Sequence, residues 1–222
     1  IKDSAKQKGT GRWASIEALK QGVDISMITS ACTARIMSNH LDEREKAWQL
    51  IHSPAVGLSP DKESFASMVR EALYTGKIIA YAQGFSLMQD ASRLYGWNLD
   101  LGKIASIFRA GCIIQAVFLN DITHAFEAEP KPESLIFDGF FLSRINEHQD
   151  SLRQAVSTGV MNGLPIPALC NAVSYLDEFR AKAAGANLIQ AQRDCFGAHT
   201  YERTDREGVF HHEWRWANDN QH

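Results

Sequence analysis

The stretch FASMVREALYTGKIIAYAQGFSLMQDASRLYG, residues 65–96, decides the fold class of this chain. Phe65, Val69 and Leu73 recur every fourth residue, and the largely apolar run 78–88 continues the pattern. Apolar residues at this spacing line one face of an α-helix. The spacing therefore predicts one long helix that ends near Gly96, preceded by a loop over 54–61 in which Asp61 is a candidate cap.

Helical spacing continues on both sides of this stretch. Trp13, Ile16 and Leu19 lie three residues apart, and Gly22 is placed to end their helix. Further helices are predicted over 25–52, 101–126, 133–141, 142–162 and from the turn at 163–167 to residue 183 or beyond. Because strand signals are nearly absent, the prediction is an all-α, multi-helix bundle domain followed by an extended C-terminal tail.

Composition narrows the class of protein. The 222 residues amount to about one and a half typical domains. The net charge of −3 argues against a nucleic-acid backbone binder. The uncharged run 155–176 is interrupted by glycines and prolines, so it does not predict a membrane helix. Four cysteines without a C-x-x-C pair predict reduced, mostly buried thiols. A soluble, cytoplasmic protein is expected, and the start at Ile1 suggests that an N-terminal part is missing.

Two predicted helical segments are almost free of charge. Arg35 is the only Asp, Glu, Lys or Arg between residues 25 and 41, and Arg109 is the only one between 104 and 120. Such segments are expected to be buried nearly all round, where a lone guanidinium needs a partner. For Arg109 we expect an internal carboxylate. For Arg35 an internal pair and a bound anionic ligand remain equally open.

The segment GTGRWA, residues 9–14, fits the pattern G-x-G-x-x-A. A dinucleotide site is not predicted, because residues 1–8 are too polar for a buried parallel strand. Two glycines nevertheless allow the backbone to approach a ligand closely. Lys8 and Thr10 add an ammonium group and a hydroxyl at the same place.

A second candidate anion site lies near the C-terminus. Arg193 and His199 are separated by six positions with Gly197 between them. A helix that ends near Phe196 would bring both side chains together, and Arg with His suits a phosphate. The alternative is a surface arginine and a capping histidine. The adjacent pair at 211–212 does not predict a metal site, because neighbouring side chains diverge.

Several of these segments together resemble decarboxylating 6-phosphogluconate dehydrogenases. They are QKGTGRW (7–13), ARIMS (34–38), KIIAYAQGF (77–85), FRAGCII (108–114), ANLIQAQRD (186–194), FGAHTY (196–201) and GVFHHEW (208–214). The resemblance covers nearly the whole chain in order. It implies that residues 1–183 are the later part of an all-α substrate-binding and dimerisation domain. It also implies that 184–222 form a tail which reaches the active site of the partner subunit in a homodimer.

The resemblance assigns roles to the residues found above. Lys8, Thr10 and Arg35 are expected to bind the substrate, 6-phosphogluconate. Arg193 and His199 are expected to bind its phosphate in the neighbouring subunit. NADP is expected to be bound mainly by an N-terminal Rossmann domain that precedes this region. The resemblance also implies that the acid–base pair of the reaction lies upstream of Ile1. The chain is therefore expected to contain no catalytic, cofactor-binding or metal-binding residue and to be inactive alone.

Two other functions compete with this interpretation. The chain could be a stand-alone helical dimerisation or binding module without catalysis. It could also belong to a related 3-hydroxyacid dehydrogenase acting on an unphosphorylated acid. Arg193 and His199 argue against that second alternative, because such a substrate leaves them without a phosphate to bind.

Overall fold

A computed structural model describes residues 1–54, 56–57, 61–109 and 111–214. The helices are α1 (Thr10–Gln21), α2 (Ser26–Ser38), α3 (Leu41–Leu50), α4 (Lys62–Tyr95), α5 (Leu101–Ile107), α6 (Leu119–Glu127), α7 (Gly139–Met161), α8 (Pro167–Arg180) and α9 (Ala186–Gly197), with a 3-10 turn at Leu135–Phe137. Two short antiparallel strands follow, β1 (Tyr201–Glu202) and β2 (Val209–Phe210), with Tyr201 opposite Phe210. The all-α prediction is confirmed.

Helix α4 is the long helix that the sequence predicts. The Asp61 carboxylate accepts a hydrogen bond of 3.0 Å from the Ser64 amide, which confirms the predicted cap, and the helix ends at Gly96. Ile78, Ile79 and Phe85 are almost completely buried. Helix α4 packs most extensively against α7, so these two helices form the centre of the core.

The predicted single helix over 25–52 is wrong, because the helix is interrupted between α2 and α3. The side chains of Ser38 and Asn39 both bond to the Arg35 carbonyl, at 2.8 and 2.7 Å. Serine and asparagine side chains that bond to nearby backbone groups compete with the helical hydrogen-bond ladder. Helix α2 therefore ends at Ser38, and α3 starts at Leu41.

The predicted helix 101–126 is also interrupted, because α5 ends at Ile107 and α6 starts at Leu119. Helix α4 supplies the partners of the intervening segment: Tyr81 donates to the Ile114 carbonyl, and Lys77 donates to the Gln115 carbonyl at 2.9 Å. Gly111 adopts a φ of +84° there, a conformation that disfavours other residues. Hydrogen bonds from α4 side chains thus replace the backbone hydrogen bonds that a continuous helix would make.

The predicted helix 133–141 is wrong as well. Only a 3-10 turn forms there, and Asp138 caps α7 by accepting from the amides of Phe140 and Phe141 at 3.0 and 3.4 Å. A carboxylate at this position satisfies amides that have no intrahelical partner. Helix α7 therefore begins at Gly139, three residues before the predicted start at 142.

The structure corrects three expectations, two about burial and one about the partner of Arg109. Ile113 and Val117, in a charge-poor segment, are 100% and 96% exposed in this chain. Arg109 donates to the Thr123 hydroxyl at 3.0 Å, so the partner found among the described residues is not a carboxylate. The four cysteines are unpaired but only partly buried. Low charge in these segments therefore does not reflect burial within the chain.

The chain divides into two compact units, residues 1–175 and 176–222. The first unit contains α1 to α7, and the second contains α9 and the β1–β2 hairpin. The functional boundary predicted at residue 183/184 stays a prediction, and residues 215–222 of the predicted tail lie outside the described residues. Within the described ranges, no helix is long and apolar enough to cross a membrane.

Candidate functional site

Lys8 and Thr10 lie at the start of α1. Gly9, the residue before the helix, has a φ of +103°, which glycine adopts without steric cost. Its carbonyl accepts the first helical bond, from the Trp13 amide at 2.9 Å. Lys8 and Thr10 are both exposed on either side of the buried Gly9, so their ammonium and hydroxyl groups are accessible to a ligand.

Arg35 lies on the exposed side of α2. Its guanidinium donates to the Lys6 carbonyl at 3.4 Å, and no carboxylate pairs with it among the described residues. The expectation that this arginine lies in the core is therefore wrong. Among the described residues no internal ion pair is found for Arg35, and the alternative of a bound anionic ligand stays a prediction.

Gly11 sets how closely α1 and α2 approach each other. A Cβ atom at Gly11 would lie 2.3 Å from the Cys32 sulfur, far inside van der Waals contact. Cys32 lies one helical turn before Arg35. The contact therefore places the start of α1, with Thr10, against the part of α2 that carries Arg35.

We expect Gly11→Ala to lower the free energy of unfolding by about 1–3 kcal/mol, because the added methyl group forces the two helices apart. Adding Cys32→Ala should restore most of this loss, since the nearest remaining atom, the Cys32 Cβ, lies 4.0 Å away. Urea unfolding of the single and double variants measures both changes. If Cys32→Ala brings no recovery, the thiol is not the obstacle.

In the first turn of α2, the backbone amide of Met27 finds its hydrogen-bond acceptor on another helix. Its preceding residue, Ile25, provides no side-chain cap. Instead Gln83 of α4, which is completely buried, accepts from the Met27 amide and donates to the Ser26 hydroxyl, each at 3.1 Å. Sequence analysis did not identify this role. The available signal was a glutamine within the mostly apolar run 78–88.

Arg193 and His199 lie at the end of α9, as predicted. Arg193 donates to the Gln190 side-chain carbonyl at 3.0 Å, and the Gln190 amide donates to the Thr200 carbonyl at 2.6 Å. His199 directly precedes Thr200, and both Ala198 and Thr200 have positive φ angles of 50° and 64°. The Gln190 side chain thus links Arg193 to the turn that carries His199.

Asp194, which sequence analysis did not single out, holds the tail unit together. Its carboxylate is completely buried. Oδ1 lies 3.0 Å from the Thr200 amide and 2.8 Å from His211 Nδ1. Oδ2 accepts from the His212 amide at 3.0 Å and from the Trp214 indole at 2.9 Å. One side chain therefore fixes the turn after α9 and the segment that follows β2.

The electrostatics of Asp194 follow from these contacts. Burial on its own raises the pKa of the carboxyl group, but the four hydrogen bonds favour the ionised form and together hold the pKa well below its usual range. The ionised carboxylate accepts all four bonds. These hydrogen bonds all run to groups of the same unit, so the carboxylate fixes the turn that contains His199.

The five predicted ligand-binding residues form two sets. Lys8, Thr10 and Arg35 lie in the first unit, and Arg193 and His199 lie in the second. Their assignment to a substrate stays a prediction. In the part of the chain that the structure describes, no group of three or more His, Cys, Asp or Glu side chains could hold a metal ion.

Comparison with known proteins matches residues 1–214 to the family model "6-phosphogluconate dehydrogenase, C-terminal domain". The chain is 48% identical over 214 residues to the decarboxylating 6-phosphogluconate dehydrogenase of Lactococcus lactis subsp. lactis, covering 96% of this chain and 45% of that protein. Identity with the Staphylococcus aureus enzyme is also 48%, with 96% and 46% covered.

A solved structure shares the fold. The 6-phosphogluconate dehydrogenase of Plasmodium falciparum, described in its apo form, with its cofactor NADP+ and with its substrate 6-phosphogluconate, superimposes with a TM-score of 0.91 at 39% identity. The match covers 96% of this chain and 46% of that one. The chain thus spans about half the length of the relatives it matches, and it belongs to the 6-phosphogluconate dehydrogenase family through the C-terminal domain.

Proposed function

We propose that the chain is the C-terminal helical part of an NADP-dependent enzyme that oxidises and decarboxylates 6-phosphogluconate to ribulose 5-phosphate. The observation that carries this proposal is the fold match over 96% of the chain to an enzyme described with NADP+ and 6-phosphogluconate. The exposed cations Lys8, Arg35 and Arg193 support it, because they occupy the motifs that the family resemblance assigns to substrate.

In this proposal the chain binds and orients the substrate. 6-Phosphogluconate carries a phosphate at one end and a carboxylate at the other, so it needs cations at both ends. Arg193 and His199 bind the phosphate, the arginine through its planar fork. Lys8, Thr10 and Arg35 bind the remaining oxygens. Binding energy from the distant phosphate holds the reacting carbons in place for the chemical steps.

The reaction itself then uses groups outside this chain. A substrate hydroxyl is oxidised by hydride transfer to NADP+, the resulting β-keto acid loses CO₂, and the enediol is protonated to give the ketone product. The residues present here supply neither the cofactor site nor the acid and base. The chain alone is therefore inactive, and its contribution appears in substrate affinity and in assembly.

We further propose that the enzyme is a cytoplasmic homodimer whose tail, residues 184–222, completes the active site of the partner subunit. Two observations support this. The tail region forms a compact unit of its own. In addition, large apolar side chains such as Ile113, Val117 and Phe196 are 73–100% exposed in the isolated chain, which is typical of surfaces that meet another polypeptide.

The experiment that tests the phosphate site is calorimetric titration of the natural polypeptide that carries this chain. We expect 6-phosphogluconate to bind and gluconate, which lacks the phosphate, to bind much more weakly. Arg193→Ala should weaken 6-phosphogluconate binding by about thirtyfold, because it removes charge-assisted hydrogen bonds. Binding of gluconate should be unchanged by this substitution.

Arg180→Ala is the matched control, because Arg180 lies in the same unit but pairs with Asp177 on α8. It should bind like the unsubstituted protein. Equal affinity for 6-phosphogluconate and gluconate would contradict the phosphate role of Arg193 and His199. Binding of neither compound, with dimerisation intact, would favour a helical dimerisation module.

A further inference from the structure

Residues 3–6 form neither helix nor strand, yet all four are hydrogen-bonded to α2, to α3 or to the turn between these helices. At Asp3, Arg44 donates to the backbone carbonyl at 3.1 Å and pairs with the side-chain carboxylate. At Ser4, the hydroxyl donates to the Asn39 side-chain carbonyl at 2.7 Å. These contacts join positions about 35 to 41 residues apart in the chain.

The next two residues continue the same row of contacts. The Ala5 amide donates to the Ser38 hydroxyl at 2.9 Å, and the Ala5 carbonyl accepts from the Asn39 side-chain amide at 3.2 Å. The Lys6 carbonyl accepts from Arg35 at 3.4 Å. Both backbone groups of Ala5 are thus bound by neighbouring residues at the end of α2.

The groups that hold this segment are themselves fixed. The Ser38 hydroxyl and the Asn39 amide both bond to the Arg35 carbonyl, and Arg44 donates to the Ser38 carbonyl at 3.2 Å. Asn39 therefore contacts Ser4, Ala5 and the backbone of Arg35 at once. The unpredicted break between α2 and α3 is what makes these side chains available.

We propose that Ser38, Asn39 and Arg44, together called the α2–α3 corner, are positioning residues for Lys8. This inference rests on the proposed function, in which Lys8 and Arg35 bind the same substrate. By anchoring residues 3–5, the corner fixes the backbone three residues before Lys8 in relation to Arg35. A site whose parts are already in place loses less conformational freedom on binding and binds more tightly.

The test uses Asn39→Ala in the natural polypeptide, with the affinity for 6-phosphogluconate measured by calorimetry. We expect the dissociation constant to rise about tenfold, because Lys8 is no longer held in place. Gln49→Ala is the matched control. Gln49 is an exposed side-chain amide on α3 that bonds to Glu45 rather than to residues 3–6, and its removal should leave the affinity unchanged.

A double-mutant cycle separates positioning from general damage to the fold. If Asn39 acts through Lys8, then Asn39→Ala should have almost no further effect in a Lys8→Ala background, whereas its effect should persist in an Arg193→Ala background. Ser38→Ala, which removes only a hydroxyl, provides a milder second variant for the same cycle. It is expected to raise the dissociation constant about threefold.

Unchanged affinity in both Asn39→Ala and Ser38→Ala would overturn the inference. So would a loss that is the same with and without Lys8, because the corner would then act on the fold in general. In both cases the unsubstituted protein still binds 6-phosphogluconate, and the proposed function stands. Failure of the unsubstituted protein to bind 6-phosphogluconate would overturn the proposed function, and this inference with it.

Discussion

Replacing Asp194 by asparagine is expected to detach the segment after β2 from α9 and to free the turn that carries His199. The carboxylate accepts two hydrogen bonds on each oxygen, whereas asparagine offers one acceptor oxygen and one donor group. Its NH₂ group would have to face either the Thr200 amide and His211, or the His212 amide and Trp214. At least one backbone amide, that of Thr200 or that of His212, therefore loses its acceptor at the fully buried residue 194.

Hydrogen exchange measures this loss directly. The amides of Thr200 and His212 both donate to Asp194, and at least one of them should exchange about a hundredfold faster in the variant. Affinity for 6-phosphogluconate should fall as well, because His199 adjoins Thr200. Amides of α4 in the first unit should keep their protection, since the substitution removes no contact there.

Asp205→Asn is the matched control. Asp205 is an acidic residue of the same unit, but it is exposed and pairs with Arg203 in the hairpin turn. Exposed ion pairs contribute little, so exchange at Thr200 and His212 should not change. If Asp194→Asn also leaves both amides protected, Asp194 does not hold the tail unit together.

The second large effect is expected for Gln83→Leu. Leucine fills a similar volume but leaves the Met27 amide and the Ser26 hydroxyl without their partner at the start of α2. Met27 is only 7% exposed, so water cannot easily replace the lost bond. An unsatisfied buried donor of this kind costs about 1–3 kcal/mol, and we expect the free energy of unfolding to fall by about 2 kcal/mol.

Urea unfolding measures this change, with Gln154→Leu as the control. Gln154 is an exposed glutamine on α7, so the same substitution there should alter stability very little. Because α2 carries Arg35, substrate affinity should weaken in Gln83→Leu and remain normal in Gln154→Leu. Equal stability of the two variants would show that the start of α2 does not depend on Gln83.

The helices that were predicted correctly are those whose signals are local. The apolar spacing in residues 65–96 is enough for α4, since Asp61 caps its first turn and Gly96 ends it. Helix α9 likewise ends close to the predicted residue, Phe196. In each case the residues that form the helix and those that end it are neighbours in sequence.

Two of the wrongly predicted helices are interrupted where distant residues bond to the chain, whereas the start of α7 is set locally by Asp138. The break at Asn39 is held by residues 3–6, and the break after Ile107 is held by Tyr81 and Lys77 of α4. Low charge around residue 113 suggested burial, but apolar side chains there remain exposed in this chain. A hydrophobic pattern shows that a segment presents apolar side chains. It does not show which part of this chain or of another chain packs against them.

The candidate site shows the same division. Lys8 and Arg35 could be singled out from sequence because a cation next to a glycine, or alone in an apolar segment, suggests an anion. Arg193 could be singled out because it lies six positions from His199 near a predicted helix end. Gln83 and Asp194 could not, because their roles depend on hydrogen-bond partners up to 57 and 20 residues away. Local periodicity and capping were therefore sufficient to establish the all-α class and most helix ends. The hydrogen bonds made by Gln83 and Asp194, and the contacts that hold the chain at Asn39 and after Ile107, arise only when folding brings distant groups within hydrogen-bonding distance.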